Sequence, residues 1–238
     1  MSQLLLAVDT SGKQGSIALA ECREGEICAV IEVIPLTGGA FSAQLVPQIA
    51  ALLGKHGYSK SDLGAFAVAS GPGSFTGLRV GLAAIQALAE ALQKPIAAIS
   101  MLEAVACGAP KPGRVLAMLD AGRGDVYAGD YETDSQDSRR IRMHSERLLS
   151  KEEVVREADL PEARFKAVVT PDAALAERFR DLFRSSGVQV ERIEYPNSAV
   201  IARLGWERLQ RGQTVRPEEL DANYIRRADA EIFSKPAP

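Results

Sequence analysis

The chain has 238 residues, of which 46% are hydrophobic and 25% charged, as in an ordinary globular protein. This balance excludes a disordered chain, a collagen and a coiled coil. The net charge of −3 excludes a general electrostatic attraction to nucleic acid, so any contact with RNA must be local or shared with a partner.

The cysteines and the N-terminal residues predict a cytoplasmic protein. Cys22, Cys28 and Cys107 are an odd number without CxxC spacing, which argues against a disulfide framework and against a cysteine-based zinc site. The apolar run at residues 4–8 is too short for a signal peptide or a membrane span. We therefore expect a reducing compartment and no membrane contact.

The distribution of charge predicts two lobes. Residues 1–110 contain only 14 of the 59 charged side chains, and a segment rich in glycine and proline at 108–113 marks the change. We expect an N-terminal lobe over residues 1–108 and a C-terminal lobe over residues 109–238. The last helix and the tail of the second lobe are expected to pack back on the first.

Hydrophobic periodicity predicts a mixture of strands and helices, and therefore an α/β fold. In the first lobe we predict strands at 4–9, 16–21, 27–34, 65–69 and 95–99 and helices at 42–53, 76–93 and 100–107. In the second lobe we predict strands at 115–120, 125–131 and 168–169, helices at 173–183 and 198–211, and a polar loop at 132–140.

The beginning of the second lobe repeats the beginning of the first. In each, an apolar strand ends in an aspartate, Asp9 or Asp120, and a glycine-rich turn and a hairpin strand follow. The two aspartates are 111 residues apart, a domain-scale period that indicates a duplicated fold and not a solenoid.

The segment SGPGSFTGLR at residues 70–79 follows a predicted strand and begins a predicted helix. Free backbone N–H groups at a helix start can bind an anion, and glycines such as Gly71 and Gly73 let a ligand approach. The spacing matches neither of the generic nucleotide fingerprints. Two interpretations stay open: an anion site, or a structural turn whose glycines permit tight packing.

The strand-end aspartates also have two interpretations. In the first, Asp9 and Asp120 orient a phosphate or its metal ion across a cleft between the lobes, with Ser11 as a further contact. In the second, each aspartate caps its own turn. The candidate nucleotide-binding residues are thus Asp9, Ser11, Gly71, Gly73 and Asp120.

Metal, nucleophile and RNA sites have little support in the sequence. His56 and His144 are the only histidines and lack an HxxxH or HExxH arrangement, so we predict both at the surface and no metal site. No G-x-S-x-G segment supports a serine nucleophile. A basic cluster interrupted by acidic residues is predicted to be a solvated face, with a local RNA contact as the alternative. The cluster consists of Arg139, Arg140, Arg142 and Arg147.

The predicted helices at 42–53 and 76–93 carry few charges. The first has none, and the second has none between Val80 and Ala89. A helix that is apolar nearly all round must bury a second side, which predicts a subunit interface; the alternative is that the second lobe or a loop covers these helices. The predicted interface residues are Leu45, Ile49, Leu52, Val80, Ala83, Ala84, Ala87 and Ala91.

Three segments closely resemble the bacterial TsaB (YeaZ) family: LLLAVDTS at 4–11, SGPGSFTGLRVGL at 70–82 and LDAGRGDVY at 119–127. The resemblance covers nearly the whole chain and is stronger in the first lobe. It implies the two-lobed actin/sugar-kinase/Hsp70-like (ASKHA) fold with duplicated ribonuclease-H-like lobes. It also implies a role in the synthesis of N6-threonylcarbamoyladenosine (t6A) in tRNA, in which the paralogue TsaD is the transferase.

The same resemblance implies protein partners. TsaB proteins bind and activate TsaD through these two helices of low charge, and the ATPase TsaE joins a larger complex that contacts tRNA. A homodimer of the isolated chain is a further expectation. Phe41 stands where TsaB sequences often have a histidine, a departure that bears on the partner contacts.

Three departures from TsaD-like proteins imply a non-catalytic chain. Met101 and Val105 stand where those proteins place two metal-binding histidines, and Pro196 stands where they place a metal-binding aspartate. Residues 170–173 (TPDA) replace a Gly-Gly turn beside adenine. We therefore expect no required cofactor, with ATP or ADP only at the partner interface. The alternative is an ATP-dependent kinase-like or peptidase-like ASKHA enzyme that uses the strand-end aspartates.

Overall fold

The computed structural model describes five stretches of the chain, which are residues 2–26, 28–134, 141–158, 165–184 and 187–225. The chain divides into two units. Unit 1 comprises Met1–Ala104 and Glu194–Ala222, and unit 2 comprises Val105–Ile193 and Asn223–Pro238. The sequence-based division at residue 108 lies close to the boundary at Ala104. It assigned residues 194–222 to the second lobe, with the expectation that the last helix and the tail pack back on the first.

Unit 1 is built on a five-stranded mixed sheet in the order β3-β2-β1-β4-β5. Strands β1, β2 and β3 form an antiparallel meander, and β4 and β5 run parallel to β1. The strands are β1 (Ser2–Asp9), β2 (Gly15–Arg23), β3 (Ala29–Leu36), β4 (Leu63–Gly71) and β5 (Ile96–Ser100).

The two faces of this sheet carry side chains of different size, because residues alternate along a strand. Large aliphatic residues such as Leu4, Leu6 and Val8 form one core cluster with two helices. The opposite face is rich in alanine and packs against a third helix, whose Gly205 is so close that a Cβ there would meet the Ala67 Cβ at 2.4 Å. The three helices are α1 (Phe41–Lys55), α2 (Phe75–Leu92) and α6 (Ser198–Gln210).

This close contact explains why the chain returns to unit 1 after residue 193. Helix α6 packs on β1, β2, β4 and β5, and the buried hydroxyls of Ser16 and Ser198 lie 2.6 Å apart at its start. Arg208 donates hydrogen bonds to the Ala98 carbonyl at 2.7 Å and to the Glu103 carboxylate at 2.5 Å. The short helix α3 (Met101–Ala106) follows β5.

Unit 2 repeats the strand order and directions of unit 1. Its sheet runs β8-β7-β6-β9-β10, with an antiparallel meander of β6, β7 and β8 and with β9 and β10 parallel to β6. This repetition confirms the duplicated α/β fold. The elements are β6 (Gly113–Gly122), β7 (Asp125–Thr133), β8 (Ile141–Ser150), α4 (Lys151–Ala158), β9 (Ala167–Thr170), α5 (Ala173–Leu182) and β10 (Gln189–Arg192).

Three elements of unit 2 were not predicted. Strand β8 contains four charged or titratable side chains between its ends, helix α4 is mostly charged, and β10 has four residues. The predicted loop at 132–140 overlaps the end of β7, while residues 135–140 lie outside the described residues. Apolar periodicity is a weak signal in such edge strands, because only part of one face is buried.

The expectation about cysteines was wrong for one pair. Cys22 and Cys28 form a disulfide, with Cα atoms 4.2 Å apart, and Cys107 is not disulfide-bonded. The register of β2 against β3 places Glu21 opposite Ala29, so the next step along the hairpin brings the two cysteines opposite each other. Sequence spacing alone did not reveal this cross-strand position.

Candidate functional site

Asp9 lies at the end of β1, and only 1% of its surface is exposed. Its Oδ1 accepts a hydrogen bond from the Ser11 backbone N–H at 2.8 Å and another from the Ser11 hydroxyl at 2.6 Å. Burial raises the pKa of Asp9 to about 6, although both bonds from Ser11 act to lower it. The carboxylate therefore caps its turn. Its charged form is destabilised by burial, because water cannot solvate it as it would an exposed carboxylate.

Tyr195 lies against the same turn, a contact that the sequence did not suggest. A Cβ on Gly12 would lie 3.1 Å from the Tyr195 hydroxyl oxygen. Burial of the hydroxyl, and then the nearby charge of Asp9, raise the pKa of Tyr195 to about 12. The residue as a whole remains 43% exposed, so its hydroxyl end points inward while part of the ring faces solvent.

The glycine-rich loop between β4 and α2 packs directly on this turn. The Ser74 backbone N–H donates to the Ser11 carbonyl at 2.7 Å, and the Ser74 hydroxyl caps α2 by accepting from the Gly77 N–H at 3.3 Å. A Cβ on Gly73 would lie 2.4 Å from the Ser11 carbonyl oxygen, and one on Gly77 would lie 2.1 Å from that of Thr10. Backbone packing therefore accounts for these two glycines.

Gly71 has a separate reason to be glycine. It is the last residue of β4, its φ is +113°, and it precedes a cis peptide bond to Pro72. Side chains rarely adopt this backbone conformation. Four of the predicted candidates thus lie around one turn: Asp9, Ser11, Gly71 and Gly73. An anion bound at the start of α2 would need the backbone N–H groups there, and two of them, those of Ser74 and Gly77, already donate hydrogen bonds within the protein.

Asp120 has different surroundings in unit 2. It is exposed, and its Oδ1 accepts a hydrogen bond from the Gly122 N–H at 3.2 Å. This is the turn-capping role that the sequence left open. Gly122 and Gly124 have positive φ angles, and a Cβ on either would meet no atom within 4 Å. The turn is therefore open where its counterpart in unit 1 is covered.

The positions that the family resemblance assigned to a metal hold apolar side chains. Met101 and Val105 have no exposed surface, and Pro196 is buried. A thioether and two hydrocarbon side chains do not form a site for a hard cation. Among the described residues there is also no group of three or more His, Cys, Asp or Glu side chains that could hold a metal ion.

The histidines and the basic cluster lie outside these sites. His56 contacts the Glu32 carboxylate at 2.7 Å, and the exposed His144 lies 3.6 Å from that of Glu132. In the basic cluster, Arg147 forms two hydrogen bonds with Glu157, at 2.6 and 2.7 Å. Arg142 is exposed on β8, and Arg139 and Arg140 lie outside the described residues.

Helices α1 and α2 together present a largely apolar face beyond the core. An open groove of about 510 Å³ lies between them. Two large apolar side chains at this groove remain in solvent, since Val46 is 60% exposed and Phe75 is 42% exposed. The lining residues are Ser42, Leu45, Val46, Phe75, Thr76, Arg79, Val80, Ala83 and Ala84.

Three of the predicted interface residues need correction. Leu45, Ile49 and Leu52 belong to the core of unit 1 and are at most 5% exposed. They recur on the stripe of α1 that faces the sheet, and only Leu45 reaches the floor of the groove. The predicted residues that remain at least partly exposed are Val80, Ala83, Ala84, Ala87 and Ala91 of α2.

Among the described residues that line the groove, Arg79 is the only charged one, and no sequence pattern singled it out. Its guanidinium carbon lies 3.7 Å from the centre of the Phe75 ring, a cation–π contact. The spacing of four residues on one helix is a signal that could have suggested this pair.

Helix α2 is also long and apolar enough to cross a membrane, by length and composition alone. This is weak evidence, because core helices of soluble proteins have the same property. Leu78, Leu82, Ile85 and Ala89 are buried, and all four belong to the core cluster of unit 1. The apolar character of α2 is therefore partly explained by packing on its own sheet.

Comparisons with known proteins agree on one family. The family model described as "TsaD: tRNA N6-adenosine threonylcarbamoyltransferase" matches residues 35–232. The tRNA threonylcarbamoyladenosine biosynthesis protein TsaB of Escherichia coli (strain K12) is 35% identical over 133 residues, 55% of each chain. TsaB of Bacillus subtilis (strain 168) is 38% identical over 129 residues, 54% of this chain and 55% of that one. The chain thus matches about half the length of these curated relatives.

Two solved structures match over nearly the whole chain. YeaZ from Pseudomonas aeruginosa has a TM-score of 0.72 and 28% identity, covering 93% of this chain and 99% of that one. A Pseudomonas aeruginosa protein described as similar to peptidase YEAZ has a TM-score of 0.74 and 28% identity, covering 94% and 100%.

Fold and site together define the class of protein: a duplicated α/β fold of the ASKHA type, with an exposed apolar helix pair in its first unit. Within that class, the chain belongs to the TsaD family, and its relatives place it with the TsaB (YeaZ) members.

Proposed function

We propose that this chain is a non-catalytic subunit of tRNA t6A synthesis that binds a TsaD-type transferase and activates it. The observation that carries the proposal is the face of α1 and α2. Val46 and Phe75 are large apolar side chains left in solvent beside an apolar groove, which is typical of a protein–protein contact. The TsaB names of the relatives supply the pathway.

The non-catalytic part of the proposal rests on the positions of Met101, Val105 and Pro196. Because all three are buried and apolar, they offer no ligand to the metal that the resemblance assigns to TsaD. TsaE joins as a further partner, and tRNA is contacted through the complex. No cofactor is required, and the partner interface is the place where ATP or ADP can bind.

The test is a binding measurement with the TsaD-type transferase of the same organism. Size-exclusion chromatography with light scattering should show a one-to-one complex. Ala83→Arg should abolish that complex, because a long charged side chain would occupy the centre of the docking face of α2. The matched control is Ala174→Arg, at an alanine that is also exposed but lies on α5, and it should leave binding unchanged. Binding of the Ala83→Arg chain as tightly as the unaltered chain would contradict the docking face.

A second candidate function has one observation in its favour. The buried carboxylate of Asp9, with a pKa of about 6, is the kind of perturbed group found in active sites. It would belong to an ATP-dependent enzyme, kinase-like or peptidase-like. Turnover of ATP or peptide by the isolated chain, abolished by Asp9→Asn, would favour this candidate over the scaffold.

A further inference from the structure

The turn that follows β1 supports the start of α2 through Thr10. This threonine is buried, and its hydroxyl donates a hydrogen bond to the Gly77 carbonyl at 2.7 Å. Gly81 lies one helical turn further along, and a Cβ there would be 2.4 Å from the Thr10 Oγ1. The two glycines therefore leave a recess on α2 that the threonine fills, and the position of Thr10 sets how closely the first turns of α2 approach β1.

Ser11 holds the same end of the helix through its backbone. Its carbonyl accepts a hydrogen bond from the N–H of Ser74, the residue that caps α2, at 2.7 Å. Ser11 is held in turn by Asp9, whose Oδ1 accepts both the backbone N–H and the hydroxyl of Ser11. Asp9 is thus connected to the cap of α2 through one residue.

The part of α2 that begins at this cap is exposed beside the groove. Phe75 follows Ser74 directly, and the Arg79 guanidinium carbon lies 3.7 Å from the centre of the Phe75 ring. Both side chains line the groove between α1 and α2. Because Phe75 is 42% exposed, the position of its ring is set mainly by the position of the helix start. The turn at residues 9–11 therefore acts on how α2 presents these two side chains.

The charge of Asp9 bears on this arrangement because the carboxyl group is buried. Burial raises the pKa of Asp9 to about 6, although both hydrogen bonds from Ser11 act to lower it. A buried arrangement whose carboxyl group binds a proton more tightly than an exposed one is favoured as the pH falls. The turn should therefore be held most firmly below about pH 6, and less firmly as the pH rises through 6.

The other titratable groups on the surrounding segments keep their charge state in this range. Burial raises the pKa of Tyr195 to about 12, so its hydroxyl stays neutral. The charged residues nearby are Lys13 on the turn, Glu194 before Tyr195 and Arg79 on α2, and all three are exposed. Exposed lysine, glutamate and arginine side chains remain charged between pH 5.5 and 7.5. Residues 10–14, 71–79 and 194–198 contain no histidine, so Asp9 is the group that titrates there.

We infer that the turn at residues 9–11 is a proton-sensitive positioning element, which holds the start of α2 in its binding position when Asp9 is neutral. This inference rests on the proposed function and adds regulation by pH to it. Asp9 and Thr10 are positioning residues, because they act on the transferase only through α2. Binding of the transferase then favours the neutral form of Asp9, and a fall in pH strengthens the complex.

The experiment measures the affinity of the purified full-length chain for the transferase at pH 5.5 and at pH 7.5. The unaltered chain should bind at least threefold more tightly at the lower pH. Asp9→Asn keeps an oxygen for Ser11 without a charge, so it should bind more tightly than the unaltered chain at pH 7.5 and lose this pH dependence. Titration of the transferase itself affects both chains equally. The matched control is Asp120→Asn, at the equivalent exposed aspartate of unit 2, which should keep the pH dependence.

Thr10 gives a second test that does not depend on pH. Thr10→Val removes the hydroxyl that reaches the Gly77 carbonyl, and it should weaken binding about fivefold. Thr10→Ser restores the hydroxyl and should recover most of the affinity. In the chain without its partner, hydrogen exchange of the Ser74 N–H reports the same contact. After correction for the intrinsic exchange rate, its protection should be lower at pH 7.5 than at pH 5.5, and equal at the two pH values in Asp9→Asn.

The same pH dependence of affinity in the Asp9→Asn chain and the unaltered chain would overturn the inference. If Ala83→Arg still abolished the complex in that case, the proposed function would stand without it. Failure of Thr10→Ser to recover more affinity than Thr10→Val would also overturn the positioning role. The absence of a complex at both pH values would overturn the proposed function, and this inference with it.

Discussion

Asp9 and Asp120 occupy equivalent positions in sheets of the same strand order, yet their surroundings differ. Asp9 is 1% exposed, and the turn that follows it packs against the glycine-rich loop and the hydroxyl of Tyr195. Asp120 is exposed, and open space surrounds the glycines of its turn. The cover over Asp9 comes from segments outside the repeated hairpin. A duplicated topology therefore repeats the position of a residue without repeating its environment, and the covering segments decide its chemistry.

Gly77→Ala tests the cover over the turn that follows Asp9, and it is expected to have the largest effect on the free energy of unfolding. The new Cβ would lie 2.1 Å from the Thr10 carbonyl oxygen, which is backbone and has little freedom to move. We expect a loss of about 3 kcal/mol in the free energy of unfolding, typical of severe overpacking. Trp206, the only tryptophan, lies in α6 of unit 1, so its fluorescence in a urea titration reports the change.

The matched change in unit 2 is Gly124→Ala, where a Cβ has open space and the cost arises from a φ of +93°. We expect the free energy of unfolding to fall by about 1 kcal/mol, and far-ultraviolet circular dichroism during a urea titration measures this change. Equal losses for the two glycines would contradict the claim that only the first turn is covered.

Asp9→Asn is expected to have the next largest effect, with a sign that depends on pH. Burial holds the pKa of Asp9 in the folded chain at about 6, above the ordinary aspartate value of 3.8. The wild-type carboxyl therefore contributes its full stability below about pH 4 and loses that contribution as the pH rises through 6. Asparagine keeps an oxygen for Ser11 without the buried charge. At pH 7.5 the variant should be more stable by on the order of 2 kcal/mol, and the advantage should vanish near pH 4.

The measurement is a pair of urea titrations, at pH 7.5 and at pH 4, with Asp120→Asn as the control. Asp120 is exposed, so its replacement should change the free energy of unfolding by less than about 0.5 kcal/mol at either pH. A destabilised Asp9→Asn chain at pH 7.5 would show that the carboxylate charge has a favourable partner in the fold.

Tyr195→Phe should have a smaller effect, because it removes only the hydroxyl from the cover over Asp9. The raised pKa of Tyr195, about 12, means that the group is neutral at every pH considered above. Losing a neutral buried hydroxyl should cost about 1 kcal/mol. The control is Tyr127→Phe on β7 of unit 2, because the Tyr127 side chain is only half-buried. Urea titrations measure the free energy of unfolding of both variants, and a larger loss for Tyr127→Phe would contradict the role of the Tyr195 hydroxyl.

The sequence predicted the sheet of unit 1 well, because its strands are buried and its turns contain glycine. All five strands and the two long helices of Met1–Ala104 were predicted, with ends within about two residues in most cases. Strand β8 was missed, because an edge strand with alternating charges lacks the apolar run that marks a buried one. Tyr195, which lies beside the turn that follows Asp9, is distant in the sequence, so local pattern gave no indication of this contact.

The exposed apolar face of α1 and α2 was predicted in part, and its role as an interface stays a prediction. A low density of charge indicated these two helices, but it did not reveal which side of α1 faces the sheet. Leu45, Ile49 and Leu52 were therefore placed at an interface although they form core contacts, and the exposed Val46 was overlooked. A low charge content indicates that a helix is apolar on more than one side. Only the orientation of the helix on the sheet decides which of its residues face the core and which face outward.

The smallest effect is expected from Asp120→Ala, and it tests whether the open turn has any role beyond capping. The substitution removes one hydrogen bond, from the Gly122 N–H to Oδ1, in a turn that water can reach. Because solvent replaces the lost acceptor, the free energy of unfolding should fall by only about 0.5 kcal/mol. Circular dichroism during urea titration measures this change, and affinity for the transferase should be unaltered. An unchanged stability together with a lost complex would show that Asp120 contacts the partner, whereas a large loss of stability would show that unit 2 covers this turn after all.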